Sequence, residues 1–375
     1  SGISIPERSG RISSVPEGLR RRLDLRDMQI AKEYTNGSTL DLPRLLRTIM
    51  FFTFVCEAFG SFLLMLRFVP MFGGKGIWIS VFLSVSAYCN AGFDILGFLK
   101  PDASLELFVG DPLVCLTICC LIILGGIGFI VTVDLYNWGR KRVRKEERRP
   151  HLTLHTRIVL VSTASLLVLG TVLTLGLEYD HTLKDLNFWE KLNASFFQSV
   201  TARTAGYATI PQGELGDATK LVTIILMFIG ASPSSTGGGI KTTTFVVLVA
   251  TVVSISRGRD ETVINKRRVD KSVVYRAMTI VAMAFLVIAI TSGVIMVTTP
   301  PEVSAIDAVY EAVSAFGTVG LTTGLTPDLS IVAKILVMLT MFIGRVGPIS
   351  LVLALTMKHS GGPGKILPEG KVIVG

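Results

Sequence analysis

The sequence predicts an all-α membrane protein built from pseudo-symmetric units of span, pore loop and span around a central path, with three such units present. Three observations carry that expectation. They are apolar runs of membrane length, a charge asymmetry between the loops, and a glycine-bearing tetrapeptide that returns at a fixed interval.

Half of the 375 residues are hydrophobic and only 17% are charged, and the mean hydropathy is +0.58. Runs without any charged residue extend from Leu113 to Val133, from Ile158 to Leu177 and from Ala277 to Thr299. Each has about 20 residues or more, enough to cross about 30 Å of hydrocarbon as a helix. Strands of a membrane barrel would alternate polar and apolar residues, which these runs do not. The five cysteines (Cys56, Cys89, Cys115, Cys119 and Cys120) all lie in apolar segments, out of metal-ligand spacing with the four histidines. They read as small core residues. The chain opens on a polar stretch at Ser1 with no apolar leader, so the start reads as an internal cut.

The net charge of +9 is not spread as a nucleic-acid footprint would be, and no nucleic-acid partner is expected. Residues 139–157 carry eight Lys/Arg against two acids, and residues 256–276 carry seven against three. The intervening loops 94–111 and 300–311 carry one and zero basic residues against four and three acids. Basic loops stay in the cytoplasm, which puts both linkers and both termini on that side of the cell membrane.

The tetrapeptides are Asn90-Ala91-Gly92-Phe93, Thr204-Ala205-Gly206-Tyr207 and Thr318-Val319-Gly320-Leu321, and their glycines are 114 residues apart. Each ends a short apolar stretch. The first, Ile77 to Cys89, has 13 residues, too few to cross, so it must enter and return. The same order of span, short stretch, glycine motif and span gives seven segments. These are a linker (1–44), a pore unit (45–138), a basic linker (139–156), a second unit (157–256), a basic linker (257–271), a third unit (272–357) and a C-terminal tail (358–375). Two crossings per unit return the chain to one side, as the charges require. Repeats of one orientation stack about an axis normal to the membrane. Irregular backbone at membrane depth is tolerated only where protein or water covers it. A glycine there lets successive carbonyls point the same way, and carbonyl rings replace the hydration shell of a cation. The reading is therefore a cation pore, with the ion at Gly92, Gly206 and Gly320.

Further residues stand out. Gly230-Ala231-Ser232-Pro233-Ser234-Ser235-Thr236-Gly237-Gly238-Gly239 interrupts the span from Lys220 to Arg257 and will not hold a regular helix. Either a flexible gating loop below the hairpins or a kinked, rigid helix fits that composition. A phosphate-binding loop does not, because Ile240 separates Gly239 from Lys241. Arg345 lies in the otherwise uncharged stretch Ile335 to Met357, at an insertion cost of about 2.5–3.5 kcal/mol. It must face protein or water, either as part of the ion barrier or bonded to the loop around Gly230 for packing. Arg203 is expected to point behind the second hairpin, bonded to backbone or an acid. Glu57 reads as structural or, less readily, ion-binding. Asp307 and Glu311 share a helix face, attracting cations or merely solvated. An intramembrane enzyme would need a nucleophile and base or clustered ligands in the spans, and the histidines fall in loops and tails.

SVSAYCNAGF, SVTARTAGYATI and SAFGTVGLTTG, followed by LGGIGFIV, FIGASPSSTGGGIKTTT and FIGRVGPISL, resemble the membrane subunit of Ktr/Trk-type potassium transporters. The likeness runs from about Arg44 to Gly375, and the closing PEGKVIVG is similar to the short Ktr type. The resemblance implies four span–pore-loop–span repeats, a homodimer, and a cytoplasmic nucleotide-binding ring that gates the pore. Gly92, Gly206 and Gly320 would be three of four filter glycines, so a further repeat is expected ahead of Ser1. No cofactor is expected in this chain. K⁺ would be the transported ion, Na⁺ a coupling or activating ion, the nucleotide a ligand of the partner, and lipid the surroundings. A sodium-conducting member of the superfamily is the alternative.

Overall fold

The computed structural model describes residues 42–101, 104–144, 151–300 and 303–347. The expected linker up to residue 41, residues 145–150 of the first basic linker, residues 348–357 of the third unit and the tail 358–375 with PEGKVIVG lie outside the described residues. The chain divides after Phe54 into two units, and the described residues of the first, from Leu42, belong to the opening turns of the first helix. The second unit runs from Val55 onward and holds the rest of the fold.

The helices, in order, are α1 (Leu42–Phe72), α2 (Gly74–Tyr88), α3 (Pro112–Ile127), α4 (Phe129–Val143), α5 (Leu154–Glu178), α6 (Phe188–Thr201), α7 (Asp217–Phe228), α8 (Thr242–Ser256), α9 (Lys271–Thr298), α10 (Ala305–Gly317) and α11 (Ile331–Val346). A two-residue antiparallel ladder, β1 (Val263–Ile264) with β2 (Arg267–Arg268), sits between α8 and α9. Leu46–Phe72, Leu154–Glu178 and Lys271–Thr298 are long and apolar enough to cross a membrane. Each is followed by a shorter helix of 15, 14 or 13 residues.

Polar side chains fix where helices begin. The Asp111 carboxylate accepts from Leu113 N and Val114 N at 3.1 and 3.3 Å, with Pro112 in the first turn. Thr153, Asp270 and Ser330 open α5, α9 and α11 by accepting from Thr156 N, Ser272 N and Ala333 N. These caps satisfy amides that the helix itself leaves unpaired.

The short helices form the inner layer. Helix α2 packs on α3, α6 on α5 and α3, and α10 on α7, α9 and α11. Close approach needs small residues. A Cβ on Gly125 would overlap the carbonyl oxygen of Tyr88, and one on Gly344 that of Phe316, so α3 and α11 touch the ends of α2 and α10 in the same way. The core gathers around Leu83, Ile118 and Phe197 on one side and Tyr310, Phe316 and Ala333 on the other.

One expected element differs. The uncharged run from Leu113 to Val133 is not one continuous helix: α3 and α4 meet at 98°. The bend falls on Gly128, at φ 97° and ψ 141°. No other residue type fits readily there, because φ is positive and a Cβ would overlap the Pro233 carbonyl oxygen. Phe129 N donates to Ser234 O at 2.8 Å, so the loop 230–239 holds the bend. Gly347 ends α11 with nearly the same angles, φ 89° and ψ 131°.

Candidate ion path and the loop beneath it

Each short helix ends in a hairpin whose backbone follows one rule. Asn90, Thr204 and Thr318 have φ of 50°, 71° and 50°, and Gly92, Gly206 and Gly320 have φ of 72°, 92° and 94°. Left-handed conformations at non-glycine residues are uncommon, and here they recur at the same place in three units. The amides turn back toward the helix ends. Ala91 N donates to Ser86 O at 2.9 Å, Ala205 N to Thr201 O at 3.0 Å and Val319 N to Ser314 O at 2.9 Å. Hydroxyls on the short helices draw in the carbonyl after each glycine. Ser86 donates to Phe93 O at 2.7 Å, while Thr201 donates to Tyr207 O and Ser314 to Leu321 O, both at 2.6 Å. With amides and flanking carbonyls so engaged, the carbonyl oxygens of residues 90–92, 204–206 and 318–320 accept no hydrogen bond among the described residues.

The hairpins also meet one another. Asn90 Nδ2 donates to Thr204 Oγ1 at 3.1 Å, and the Tyr207 hydroxyl donates to Phe93 O at 3.1 Å. A Cβ on Gly92 would overlap Ala205 O, and one on Gly206 would overlap Val319 O. Each of these two glycines thus rests against the hairpin that comes after it. Among the described residues, a Cβ on Gly320 would meet nothing nearer than the Gly206 Cα at 3.7 Å, so its forward flank is open there. Gly92, Gly206 and Gly320 line one cavity of about 350 Å³, together with Asp94, Glu106 and Gln212. At the opposite end of the hairpins, Asn90 Oδ1 and Thr318 Oγ1 are buried without a partner among the described residues.

The segment from Ile229 to Lys241 is non-helical, as its composition predicts. It is nevertheless well bonded. Ser232 N donates to Gly126 O at 3.1 Å, Thr236 N to Gly125 O at 3.3 Å, and the Thr236 hydroxyl to Tyr88 O at 3.1 Å. Ala231 O accepts from Thr242 N, Ile229 and Ile240 form a parallel bridge, and Lys241 Nζ closes the turn on Gly237 O at 2.7 Å. Its glycines press against the hairpins: a Cβ on Gly237 would overlap Thr204 Oγ1, and one on Gly238 would overlap Thr318 Oγ1. Pro233, Ser234, Ser235 and Gly239 complete the turn. No regular kinked helix runs through this stretch.

Arg345 follows Gly344, as Gly126 follows Gly125, and Gly126 lies beside Asn90 Nδ2 and Ala231. The Arg345 side chain is exposed, without a hydrogen bond or ion pair among the described residues. Bonding to the loop around Gly230 is therefore not what holds it.

Several charged residues have partners that the sequence does not assign. Arg203 is buried behind the second hairpin, but among the described residues it reaches neither backbone nor acid. One guanidinium nitrogen lies 3.5 Å from the Thr163 hydroxyl, and Nε is unpartnered among the described residues. Glu57 accepts from the Cys89 thiol at 3.8 Å, and its own carbonyl from the Ser84 hydroxyl. Asp307 pairs with Lys220 at 2.8 Å. Buried Glu311 accepts from the hydroxyls of Thr322 and Thr326 and from Thr323 N, so it braces the loop after the third hairpin. All five cysteines are unpaired. The roles of the Ser86, Thr201 and Ser314 hydroxyls are not evident in the sequence, although Ser86 and Ser314 stand two intervals of 114 apart; Thr201, one residue late, hides the period.

The family model for TrkH cation transport proteins matches residues 22–362. The Ktr system potassium uptake protein B of Bacillus subtilis is 35% identical over 361 residues, which is 95% of this chain and 77% of the relative. The potassium/sodium uptake protein NtpJ of Enterococcus hirae is 38% identical over 339 residues, 88% of this chain and 72% of that one. The crystal structure of the potassium transporter TrkH from Vibrio parahaemolyticus superposes with a TM-score of 0.64 at 18% identity, covering 86% of this chain and 66% of that one, which speaks to the fold.

Proposed function

Because the chain belongs to the TrkH family of cation transport proteins, and is a transporter subunit and not an enzyme, we propose that it carries out potassium uptake through a filter made by the three hairpins. The observation that carries this is the set of three positive-φ glycines lining one cavity, with the carbonyls of residues 90–92, 204–206 and 318–320 free of protein donors among the described residues. Unpaired carbonyls in a membrane cost several kcal/mol each, a cost that a dehydrated cation offsets. Asp94 and Glu106 beside the glycines raise the local cation concentration at the mouth.

The loop 230–239 is the gate in this reading, since it abuts Thr204 and Thr318 directly. Arg345 adds an electrostatic barrier at the same level. The open flank of Gly320 is the place of a fourth hairpin, supplied by a segment ahead of residue 1; a full-length gene product that begins within a few residues of Ser1 would contradict this. The basic linkers keep both termini cytoplasmic and, as the resemblance implies, a homodimer docks there on a nucleotide-binding ring. A second reading, conduction of sodium as well, is favoured by the potassium/sodium designation of the Enterococcus relative.

The test is flux of Rb⁺ and Na⁺ through the full-length protein in liposomes, compared with Gly206→Ser. Rb⁺ flux exceeding Na⁺ flux in the parent, with loss of that preference in the variant, is the expected result. Equal behaviour of the two proteins removes the carbonyl argument, and equal Rb⁺ and Na⁺ flux in the parent favours the second reading.

A further inference from the structure

Away from the hairpins, a groove of about 470 Å³ lies between α5 and α8, within the roughly 300–1,000 Å³ range of small-molecule sites. Leu166, Phe245, Val249, Val253 and Ile264 give it apolar walls. Along α8 it runs from Phe245 to Val253, about 12 Å at a rise of about 1.5 Å per residue. Arg257 and Arg259 stand at one end. Both are exposed, and among the described residues neither guanidinium has a hydrogen bond or an ion pair. The nearby Glu261 is taken by Arg268 at 2.8 Å. The turn between the two arginines is firm: Gly258 N donates to Ile255 O at 2.8 Å and Arg259 N to Ser254 O at 3.1 Å. The last carbonyls of α8 are thereby used by backbone, leaving both side chains for a ligand.

An apolar slot with two uncompensated cations at one mouth is complementary to an amphiphile with an anionic head. We propose that this groove is a binding site for one anionic phospholipid, its acyl chain along α8 against Val249 and Val253 and its phosphate between Arg257 and Arg259. Guanidinium forks match phosphate oxygens in charge and geometry, and basic pockets between membrane helices hold anionic headgroups. The site goes beyond the ion path and does not depend on it. It ties lipid composition to α8, the helix that continues from the loop 230–239.

Native mass spectrometry of the full-length protein in detergent, titrated with phosphatidylglycerol or with phosphatidylcholine of the same chains, tests this. Half-retention of phosphatidylglycerol is expected at a roughly tenfold lower concentration than of phosphatidylcholine. The double variant Arg257→Gln, Arg259→Gln, at exposed positions that leave packing intact, should abolish that preference. Ala250→Trp, which fills the groove, should lower retention of both lipids. Inorganic phosphate should displace neither. A preference that survives the double variant, retention untouched by Ala250→Trp, or displacement by phosphate would each overturn the proposal. So would a wild type that retains no lipid and loses its dimer on Ala250→Trp, since a second copy would then occupy the groove.

Discussion

The hairpins and the chain beyond them obey different rules. In the hairpins, three units agree in all but the offset of one hydroxyl: left-handed backbone at Asn90, Thr204 and Thr318, glycine at 92, 206 and 320, and a hydroxyl drawing in the next carbonyl. After them the units part. The first passes through Gly128 and turns by 98°, the second opens into a non-helical segment from Ile229 to Lys241, and the third reaches Gly347 after carrying Arg345 at the position of Gly126. A carbonyl ring needs equal contributions from every unit, which keeps the hairpins alike. A barrier across one axis needs only one occupant, and equal copies of a loop would collide there. In the proposed reading, the symmetric hairpins select the ion and the unequal segments beneath them control its passage.

The sharpest way to break the comparison is to spoil the symmetric part. Gly206→Ser adds a Cβ onto Val319 O as well as forcing a side chain to φ 92°. Each such backbone strain costs about 1–3 kcal/mol, and the overlap adds to it, so Rb⁺ uptake should fall by an order of magnitude or more. Gly320→Ser has the same strain at φ 94° and, in the full-length protein where the proposal seats a fourth hairpin on its flank, should lose flux to a similar extent. A Gly320→Ser protein that keeps much more flux than Gly206→Ser would mean that no hairpin occupies that flank.

Substitutions in the unequal part should act in the opposite direction. Arg345→Ala removes the one charge of α11's last turn and should raise cation flux in liposomes. Unchanged flux with lower protein yield would make Arg345 a packing residue. Gly237→Ala places a methyl against Thr204 Oγ1, which should push the loop off the hairpins and raise basal flux by less than Arg345→Ala does. A fall in flux would show that the loop supports the hairpins instead of blocking them. Gly128→Ala should lower the thermal midpoint by a few degrees, corresponding to about 1–3 kcal/mol of strain. An unchanged midpoint would mean that α3 and α4 do not need the bend.

This division also explains what is legible in the sequence. The hairpins are, because equal spacing marks them three times over, and so is the loop, because glycine, proline and hydroxyl residues cannot sustain a helix. The bend at Gly128 is not: it sits in an unbroken apolar run, and the physical signal, Gly125-Gly126-Ile127-Gly128 against Gly344-Arg345-Val346-Gly347, appears only once both close approaches to the short helices are known. Arg203 does lie behind its hairpin, but its partner, a threonine 40 residues earlier on α5, carries no signature in the chain. Glu311 looks as free as Asp307 in the sequence because a helical face says nothing of the loop that returns over it.

The central claim is that cations sit on the carbonyls the three hairpins leave free. Anomalous scattering from crystals of the full-length protein grown in Rb⁺ tests it directly. The account predicts density on the axis between the carbonyls of residues 90–92, 204–206 and 318–320. Density confined to the Asp94 and Glu106 carboxylates, with none among the hairpins, would contradict it.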